Sequence, residues 1–279
     1  MSTKIHKLGF DVVNGCQLRC IGCPNSTIKP KIKFISVKDF NICLANLDVD
    51  KIEVFRFFNF GEALLHPDIV ELVFQISRQS WYTDIVEIST NAQYFNKNIM
   101  IELFKLNILT TLSVSCDGNG TPDEYEKYRP PAKWEKLMTF LEEVSLIKNK
   151  YSPNVKLQVK SVCDEEDGQK RWLSILKPLG WKPFFRKWMN LPMSISTPSN
   201  RAILPFKGVC SFVCNRNNFY VSQDGMVVPC CVHPRASDLG NLKYQKYSQI
   251  INGDKRIKFI EELKTNRVNM EICGKCEIK

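Results

Sequence analysis

The sequence predicts an α/β fold in which an open, partial (β/α)6 barrel is followed by a small cysteine-rich domain. Strand-like runs alternate with helical patterns along the first two thirds of the chain, which is the signature of βα units. Residues 189–208 are instead rich in Pro, Ser and Asn, which is typical of an irregular linker. A cysteine-dense tail follows. We therefore expect two domains, residues 1–205 and residues 206–279.

Six strands and the helices between them account for the predicted barrel. The strands are residues 7–13, 51–58, 84–90, 110–115, 155–162 and 182–188, and the helical patterns are residues 37–46, 67–77, 97–105, 133–147 and 169–176. Because each helix connects one strand to the next, the strands are expected to be parallel. Six units are too few for a closed eight-stranded barrel, so the barrel should stay open.

Composition points to a globular, metal-binding protein. The chain has 279 residues, of which 44% are hydrophobic, enough for a full core. It has neither a signal-peptide pattern nor an apolar run long enough to cross a bilayer, so we expect a cytoplasmic protein without a membrane partner. In a reducing compartment its twelve cysteines, several in CxxC or CC pairs, favour metal ligation over disulfides.

The net charge of +10 decides little about partners. It could attract nucleic acid, an anionic metabolite or an acidic protein. No long Lys/Arg run with interleaved aromatic residues occurs, so charge spread over the surface is the simpler interpretation.

The most informative stretch, "NGCQLRCIGCPN", follows the first predicted strand and carries Cys16, Cys20 and Cys23 on the spacing CxxxCxxC. Three thiolates from one loop can hold three corners of a cubane cluster and leave the fourth iron open. A structural zinc ion would need a fourth ligand, and neither His6 nor His66 is near in sequence. Buried core thiols are the alternative, which the position at the end of a strand disfavours.

This motif resembles that of the radical S-adenosylmethionine (SAM) enzymes, which carry CxxxCxxC after the first strand of a partial (β/α)6 TIM barrel. The resemblance implies that Cys16, Cys20 and Cys23 bind a 4Fe-4S cluster whose open iron chelates SAM. It also implies an electron donor such as a flavodoxin or ferredoxin. Gly22 stands where family members often have an aromatic residue, a difference expected to alter packing on the adenine and leave ligation intact.

The resemblance extends to the segments after the second, third and fourth barrel strands. "FNFGEALLHPDI" is similar to the family's Gly-Gly-Glu-Pro motif and keeps Gly61 and Glu62, although Phe60 and Ala63 replace the first glycine and the proline. Glu62 is the expected acceptor for the amino group of SAM, because an ammonium needs a carboxylate partner. A carboxylate at a helix N-terminus is the alternative interpretation.

Two further segments are expected to contact SAM. "ISTNAQ" supplies Ser89, Thr90 and Asn91, whose hydroxyl and amide groups suit ribose hydroxyls and match a Thr-Asn pair of the family. The same residue types also cap helices, so the stretch is weak on its own. "LSVSCDG" resembles the family's Ser-x-Asp-Gly, in which Ser115 would face the cofactor and Asp117 could equally be a turn residue.

The tail contains a second set of cysteines around a predicted hairpin. "FYVSQDGMVVP" has two β-rich halves around Asp-Gly, which brings the cysteines on either side of it together. A CxxC motif near the terminus could complete a four-thiolate site, which zinc would also accept. The pattern resembles the SPASM domains and their shortened form, the twitch domain, with one auxiliary 4Fe-4S cluster. The resemblance favours as ligands Cys210, Cys230, Cys273 and Cys276, with Cys214 and Cys231 as a spare pair that could replace their neighbours.

The resemblance implies an enzyme that generates a 5'-deoxyadenosyl radical, abstracts hydrogen from its substrate and passes the remaining electron to the auxiliary cluster. That outcome favours a net oxidation. The layout is similar to the twitch-bearing 2-deoxy-scyllo-inosamine dehydrogenase type, which favours a small-molecule substrate such as a sugar, an aminocyclitol or a nucleoside-like compound. The absence of a winged-helix domain before the barrel favours the same substrate class.

Three alternatives stay open at this stage. They are a ribosomal-peptide maturase, a nucleic-acid-modifying enzyme supported only by charge, and a non-enzymatic zinc-binding module. No catalytic acid or base can be named from the sequence. Candidate cavity residues are Arg129, Arg186, Lys187 and Trp188, each of which could equally serve surface or packing roles.

Overall fold

The protein is described by a computed structural model that covers residues 4–189, 191–192, 206–208, 210–214 and 218–278. The predicted linker and the proposed boundary near residue 205 lie mostly outside these residues. The barrel region contains strands β1 (Lys4–Phe10), β2 (Val13–Asn14), β3 (Lys33–Phe34), β4 (Lys51–Arg56), β5 (Tyr82–Thr90), β6 (Thr111–Ser115), β7 (Lys156–Val162) and β8 (Lys182–Arg186). Its helices are α1 (Asn25–Ile28), α2 (Val37–Ala45), α3 (Ile69–Ile76), α4 (Lys97–Lys105), α5 (Pro122–Tyr128), α6 (Trp134–Tyr151) and α7 (Glu166–Leu176), with a 3₁₀ helix at Ala63–Leu65.

The tail forms a second group of elements. These are α8 (Ser211–Cys214), β9 (Asn218–Val221), β10 (Met226–Val228), β11 (Gly240–Asn241), α9 (Tyr247–Ile251) and α10 (Asp254–Thr265), followed by 3₁₀ helices at Arg267–Asn269 and Cys273–Lys275. The hairpin predicted from Asp-Gly is the antiparallel pair β9–β10, whose turn contains Gly225 at φ +83°.

One sheet of nine strands organises the described residues, in the order β11-β10-β9-β1-β4-β5-β6-β7-β8. The six predicted barrel strands correspond to β1 and β4–β8, and they pair in parallel. The predicted parallel α/β fold is therefore confirmed. The small antiparallel pair β2–β3 and helix α5 are additional elements that the periodicity did not indicate.

The hairpin of the tail adds to the edge of the barrel sheet. Strand β9 pairs in parallel with β1, with Gly9 opposite Tyr220, while β10 and β11 continue antiparallel. Sequence patterns predicted the hairpin but not this pairing, because the partners lie about two hundred residues apart and no local signal encodes such a contact. The cysteines that follow β10 are thereby brought beside the barrel.

The two faces of the barrel strands have different chemistry. Since side chains alternate along a strand, β4 directs Phe55 toward the helices, where it stacks on Trp81, and Arg56 toward the opposite, concave face. Likewise Val86 and Ile88 of β5 are buried in the apolar core, while Glu87 between them bonds polar side chains of neighbouring strands. We call this concave polar face the lumen. Among the described helices none is long and apolar enough to span a membrane.

Candidate functional site

The loop after β1 presents three cysteines, Cys16, Cys20 and Cys23, as partly exposed free thiols. We call them the N-terminal cysteines. The guanidinium of Arg19 holds the loop from inside by donating Nη1 hydrogen bonds to the carbonyl oxygens of Cys16 (2.6 Å) and Leu18 (2.7 Å). The side chain of Arg19 thus fixes the loop through its backbone carbonyl groups and not through the thiols.

The same loop is attached to the end of α5. The backbone N–H of Arg19 donates to the carbonyl of Pro130 (2.6 Å), and that of Ile21 donates to the carbonyl of Tyr128 (2.9 Å). The segment after the fourth barrel strand therefore lies against the N-terminal cysteines. This contact explains how Arg129, which stands between those two acceptors, comes to lie beside them.

Gly61 lies where two backbones cross. A Cβ at this position would be 1.8 Å from the carbonyl oxygen of Val13, so no other residue fits without moving the chain. Asp11, which the sequence patterns did not single out, holds the same turn: its buried carboxylate accepts hydrogen bonds from the backbone N–H groups of Asn59 (2.7 Å), Phe60 (2.9 Å) and Gly61 (2.9 Å). Burial raises the pKa of Asp11 to about 6, although these three bonds oppose the rise.

Glu62 is buried, and both of its carboxylate oxygens accept backbone hydrogen bonds. Oε1 accepts from the N–H of Leu64 (3.2 Å) at the start of a 3₁₀ helix, and Oε2 accepts from the N–H of Asn91 (2.7 Å). The helix-terminus role is thus present, and the carboxylate also lies close enough to Cys16 to raise the pKa of its thiol. The Thr90 hydroxyl is a third partner of this carboxylate, whose four lone-pair sites still leave one for an ammonium group.

Asn91 connects the end of β5 to the first cysteine. Its Nδ2 donates to Sγ of Cys16 (3.3 Å) and to Oε1 of Gln17 (3.1 Å), while Nε2 of Gln17 donates back to Oδ1 (3.1 Å). The residue predicted to contact ribose is therefore turned toward the cysteine loop.

The remaining predicted contacts divide into two groups. Oγ of Ser89 and Oγ of Ser115 lie 3.5 Å apart at neighbouring strand ends, so these two hydroxyls face one another. Thr90 is buried, and its Oγ1 accepts from the N–H of Ala92 (3.1 Å). Its hydroxyl also hydrogen-bonds the Glu62 carboxylate, so it serves both the local turn and the position of Glu62.

Arg129 and Asp117 form a buried ion pair beside the N-terminal cysteines. Nη1 of Arg129 lies 2.5 Å from Oδ2 of Asp117, whose Oδ1 accepts from the N–H of Val162 (3.1 Å). Burial lowers the pKa of Arg129, but its interactions with Cys20 and Asp117 outweigh burial and hold that pKa well above its usual value. Nε of Arg129 is buried without a partner among the described residues, so a donor remains for a bound anionic group.

The chemistry of the N-terminal cysteines fits an iron–sulfur cluster. Burial raises the pKa of Cys16 and Cys20 to about 11 and raises the pKa of Cys23, so the thiols hold their protons near neutral pH. Thiolates form at such positions when a cation compensates their charge, as iron does. Within the described parts of the chain, no three His, Cys, Asp or Glu side chains converge closely enough for a single metal ion.

The cysteines of the tail form a second group, which we call the C-terminal cysteines: Cys210, Cys230, Cys273 and Cys276. Three of them are buried, and Cys273 is partly exposed. Burial raises the pKa of Cys273 to about 11, and the charges of Cys276 and Cys210 contribute to its shift. Burial likewise raises the pKa of Cys230 to about 12, with a contribution from Cys273. Cys273 thus lies within electrostatic reach of the other three.

Arg267, absent from the sequence-based candidates, holds this group together. It is 3% exposed, and its guanidinium donates to the carbonyl oxygens of Cys273 (3.2 Å), Cys276 (3.2 Å) and Gly208 (3.0 Å). One cation therefore joins the CxxC turn to the segment that precedes Cys210. No sequence signal distinguishes this arginine from the many others of a basic chain.

The spare residues of the tail have different surroundings. Cys214, the last residue of α8, is partly exposed. Cys231 is exposed and hydrogen-bonds with Tyr220. His233 is fully buried, its Nδ1 accepts from the N–H of Arg235 (3.1 Å), and its Nε2 has no partner among the described residues.

A cavity of about 150 Å³ opens at the carboxyl ends of β6 and β7. Its walls include Glu124, Tyr128 and Trp188, of which the two aromatic rings pack edge to face with centroids 5.1 Å apart. Trp188 therefore lines a cavity, whereas Arg186 at the end of β8 and Lys187 after it are exposed.

Comparisons with known proteins agree with this architecture. The family model of the radical SAM superfamily matches residues 11–152, and that of the SPASM iron-sulfur cluster-binding domain matches residues 210–277. The chain belongs to the radical SAM superfamily and carries a SPASM-like C-terminal domain. Membership of the superfamily implies SAM and a 4Fe-4S cluster as cofactors, and the SPASM-like domain implies auxiliary iron–sulfur cluster binding. A search of curated sequences found no significant match.

Solved structures show the same fold at low sequence identity. BtrN in complex with AdoMet and 2-DOIA is similar with a TM-score of 0.61 and 18% identity, over 99% of this chain and 94% of that one. Native anSMEcpe with bound AdoMet has a TM-score of 0.66 and 15% identity, over 97% and 88%. The same protein with AdoMet and the Cp18Cys peptide has a TM-score of 0.66 and 15% identity, over 98% and 89%.

Proposed function

We propose that this radical SAM enzyme oxidises a small molecule of the sugar, aminocyclitol or nucleoside-like class, with an auxiliary 4Fe-4S cluster as electron acceptor. A flavodoxin or ferredoxin would supply the initial electron. Similarity to BtrN bound to AdoMet and 2-DOIA, over nearly the full length of both chains, supports a small-molecule substrate.

The observation that carries this proposal is the pairing of β9 with β1. It brings Tyr220 over Gly9, where a Cβ would lie 3.0 Å from Cδ1 of the tyrosine ring. The same tyrosine hydrogen-bonds with Cys231, the neighbour of Cys230. Tyr220 thus contacts Gly9 of β1 on one side and lies near Cys230 and Cys231 on the other, a position that supports a path for an electron leaving a substrate in the lumen.

The roles of individual residues follow from their positions. We propose that the N-terminal cysteines bind the SAM cluster, that the C-terminal cysteines bind the auxiliary cluster, and that Glu62 accepts the amino group of SAM. Ser89 and Ser115 would hydrogen-bond the cofactor through their facing hydroxyls. Arg129, with its unpaired Nε, is suited to the carboxylate of SAM.

When bound, the cofactors supply a 5'-deoxyadenosyl radical for hydrogen abstraction and an acceptor for the electron that remains. The chain contributes orientation of the substrate C–H and exclusion of other hydrogen donors. The lumen suits this task because its walls are strands fixed in register, which position side chains more rigidly than loops.

Anaerobic reconstitution tests the proposal. We expect about eight irons per chain and, with dithionite and SAM, formation of 5'-deoxyadenosine. Cys16→Ser should lose about four irons and all cleavage of SAM, while Cys276→Ser should lose about four irons and keep cleavage. Zinc without iron in the wild-type protein, or a wild-type protein that forms no 5'-deoxyadenosine, would contradict the proposal.

A peptide maturase is the second candidate, because native anSMEcpe with a bound peptide matches with a TM-score of 0.66, above the 0.61 of BtrN. Cleavage of SAM stimulated by short synthetic peptides, with loss of peptide hydrogen detected by mass spectrometry, would favour this candidate. Stimulation by sugars or aminocyclitols but not by peptides would favour the first.

A further inference from the structure

A charged cluster crosses the lumen below the predicted SAM contacts. The Glu87 carboxylate of β5 is at its centre and accepts from Nε of Arg56 on β4 (2.7 Å), from Oγ of Ser113 on β6 (2.8 Å) and from Nζ of Lys160 on β7. One carboxylate is therefore shared by two cations. The cluster keeps a surplus positive charge in the concave face where the enzyme's chemistry is expected.

The two cations are reachable, whereas the carboxylate is not. The side chains of Arg56 and Lys160 are 27% and 20% exposed, against 5% for Glu87. Among the described residues the guanidinium of Arg56 makes its only hydrogen bond through Nε, so its terminal nitrogens remain for another acceptor. Nζ of Lys160 also has donors beyond the one that Glu87 receives.

An aromatic ring lies between the two cations. The centroid of Phe58 is 5.5 Å from Cζ of Arg56 and 5.2 Å from Nζ of Lys160. Arg186, at the end of β8, lies near enough for its charge to act on Lys160 and adds to the positive potential. Phe58 thus offers an apolar platform flanked by cationic donors.

Such a site is electrostatically complementary to an anion. Half-buried cations with a single shared counter-ion are incompletely compensated, and a carboxylate or phosphate can accept from the arginine fork and the ammonium together. Arg129 supplies a separate cation beside the N-terminal cysteines, so the carboxylate of SAM does not need this pair. A substrate ammonium group would be repelled.

We infer that the substrate carries a carboxylate or phosphate group, which binds Lys160 and Arg56 with its carbon skeleton against Phe58. The inference rests on the proposed small-molecule oxidation and narrows its substrate class to acidic or phosphorylated compounds. Within that class it disfavours aminocyclitols.

Four compounds with one hexose ring test the charge preference: D-glucose, D-glucosamine, D-glucuronate and D-glucose 6-phosphate. Their dissociation constants are measured by anaerobic calorimetry on the reconstituted, SAM-loaded protein. We expect at least one of the two anions to bind about tenfold or more tightly than glucose, and glucosamine to bind most weakly. Equal binding of all four, no binding of any, or a preference for glucosamine overturns the inference.

Variants then assign the preference to the cluster. Lys160→Gln should reduce the advantage of the anion about tenfold or more, whereas Lys160→Arg should retain it. Lys156→Gln removes the same charge from the exposed start of the same strand and should change nothing. If Lys160→Gln does not fold, Arg56→Lys against Arg56→Gln provides the same comparison.

The outcome is separable from that of the proposed function. Formation of 5'-deoxyadenosine with dithionite and no added substrate reports the SAM chemistry alone. An active enzyme whose anion preference is absent, or unchanged in Lys160→Gln and Arg56→Gln, overturns only the inference about the substrate.

Discussion

The side-chain amide of Asn91 donates a hydrogen bond to Sγ of Cys16 over 3.3 Å, which joins the end of β5 to the cysteine loop after β1. The backbone N–H of the same asparagine donates to Glu62. Asn91, at the end of β5, therefore contacts two other segments proposed to bind the cluster and SAM, the cysteine loop and the Glu62 turn. Its hydrogen bond to a cysteine proposed to ligate the cluster is expected to influence the reduction potential of that cluster.

Replacing Asn91 by Ala should lower the midpoint potential of the SAM-binding cluster. A hydrogen bond to a ligating sulfur stabilises the reduced, more negative state of the cluster. Its loss is expected to lower the midpoint potential by an amount on the order of tens of millivolts. The measurement is a redox titration followed by electron paramagnetic resonance. Gln93→Ala, two residues further along, is the matched control, because its side chain bonds Tyr125 and Lys133 instead. An unchanged potential in Asn91→Ala would show that the bond is lost when the cluster is bound.

Replacing Gly61 by Ala should destabilise the protein by about 3 kcal/mol or more, because its Cβ would overlap the Val13 carbonyl at 1.8 Å. Urea unfolding of the anaerobic protein measures the loss. Gly180→Ala is an informative comparison, since nothing lies within 4 Å of its Cβ position and only its φ of +75° opposes the change. We expect about 1 kcal/mol there. Equal effects of the two substitutions would contradict the steric argument.

The sequence predicted the parts of the site that depend on local pattern. The CxxxCxxC loop, Gly61 and Glu62 could be named as candidates because each belongs to a short contiguous motif at the end of a strand. Asp11 and Arg267 were missed, because both act on backbone groups that no local pattern connects to them. Asp11 binds a turn about fifty residues away, and Arg267 binds carbonyl groups from several turns of the tail. The orientation of Asn91 was not foreseen either, since the residue type fits ribose and sulfur equally well.

Asp11 should make stability depend on pH. Its pKa is raised from 3.8 to about 6 in the folded protein, so the folded state holds the proton more tightly than the unfolded state. The free energy of unfolding therefore falls as the pH rises through about 6 and is constant above that. Between pH 5 and pH 8 this group should cost about 1.4 kcal/mol.

Asp11→Asn isolates this contribution, because Asn has the shape of the protonated acid and does not titrate. The stability of the wild type relative to Asp11→Asn should fall by that amount from pH 5 to pH 8, measured by urea unfolding. A constant difference between the two proteins would mean that Asp11 is ionised throughout, with the three backbone N–H bonds outweighing burial.

Arg267 should be required for the auxiliary cluster and not for the SAM-binding cluster. Arg267→Met removes the donors that join Cys273, Cys276 and Gly208, and with Ile278 it leaves four carbonyl groups without this partner. We expect iron to fall from about eight to about four per chain while 5'-deoxyadenosine still forms. Arg256→Met is the control, because within the described parts of the tail that side chain donates only to the carbonyl of Ile251 (3.2 Å). Full iron content in Arg267→Met would show that the auxiliary cluster binds without the hydrogen bonds that Arg267 donates to the CxxC turn.

The choice among the spare cysteines can be decided by single substitutions, because their burial differs. Cys230 is buried behind β10, while Cys231 is exposed and bonded to Tyr220, and Cys214 is only partly buried beside the buried Cys210. Since a cluster is held by thiolates that face the protein interior, we expect Cys210→Ser and Cys230→Ser to lose about four irons. Cys214→Ser and Cys231→Ser should keep all of them. If Cys231→Ser loses iron and Cys230→Ser keeps it, Cys231 is the cluster ligand and Cys230 is the spare cysteine. The auxiliary cluster would then lie directly against Tyr220 at the edge of the lumen.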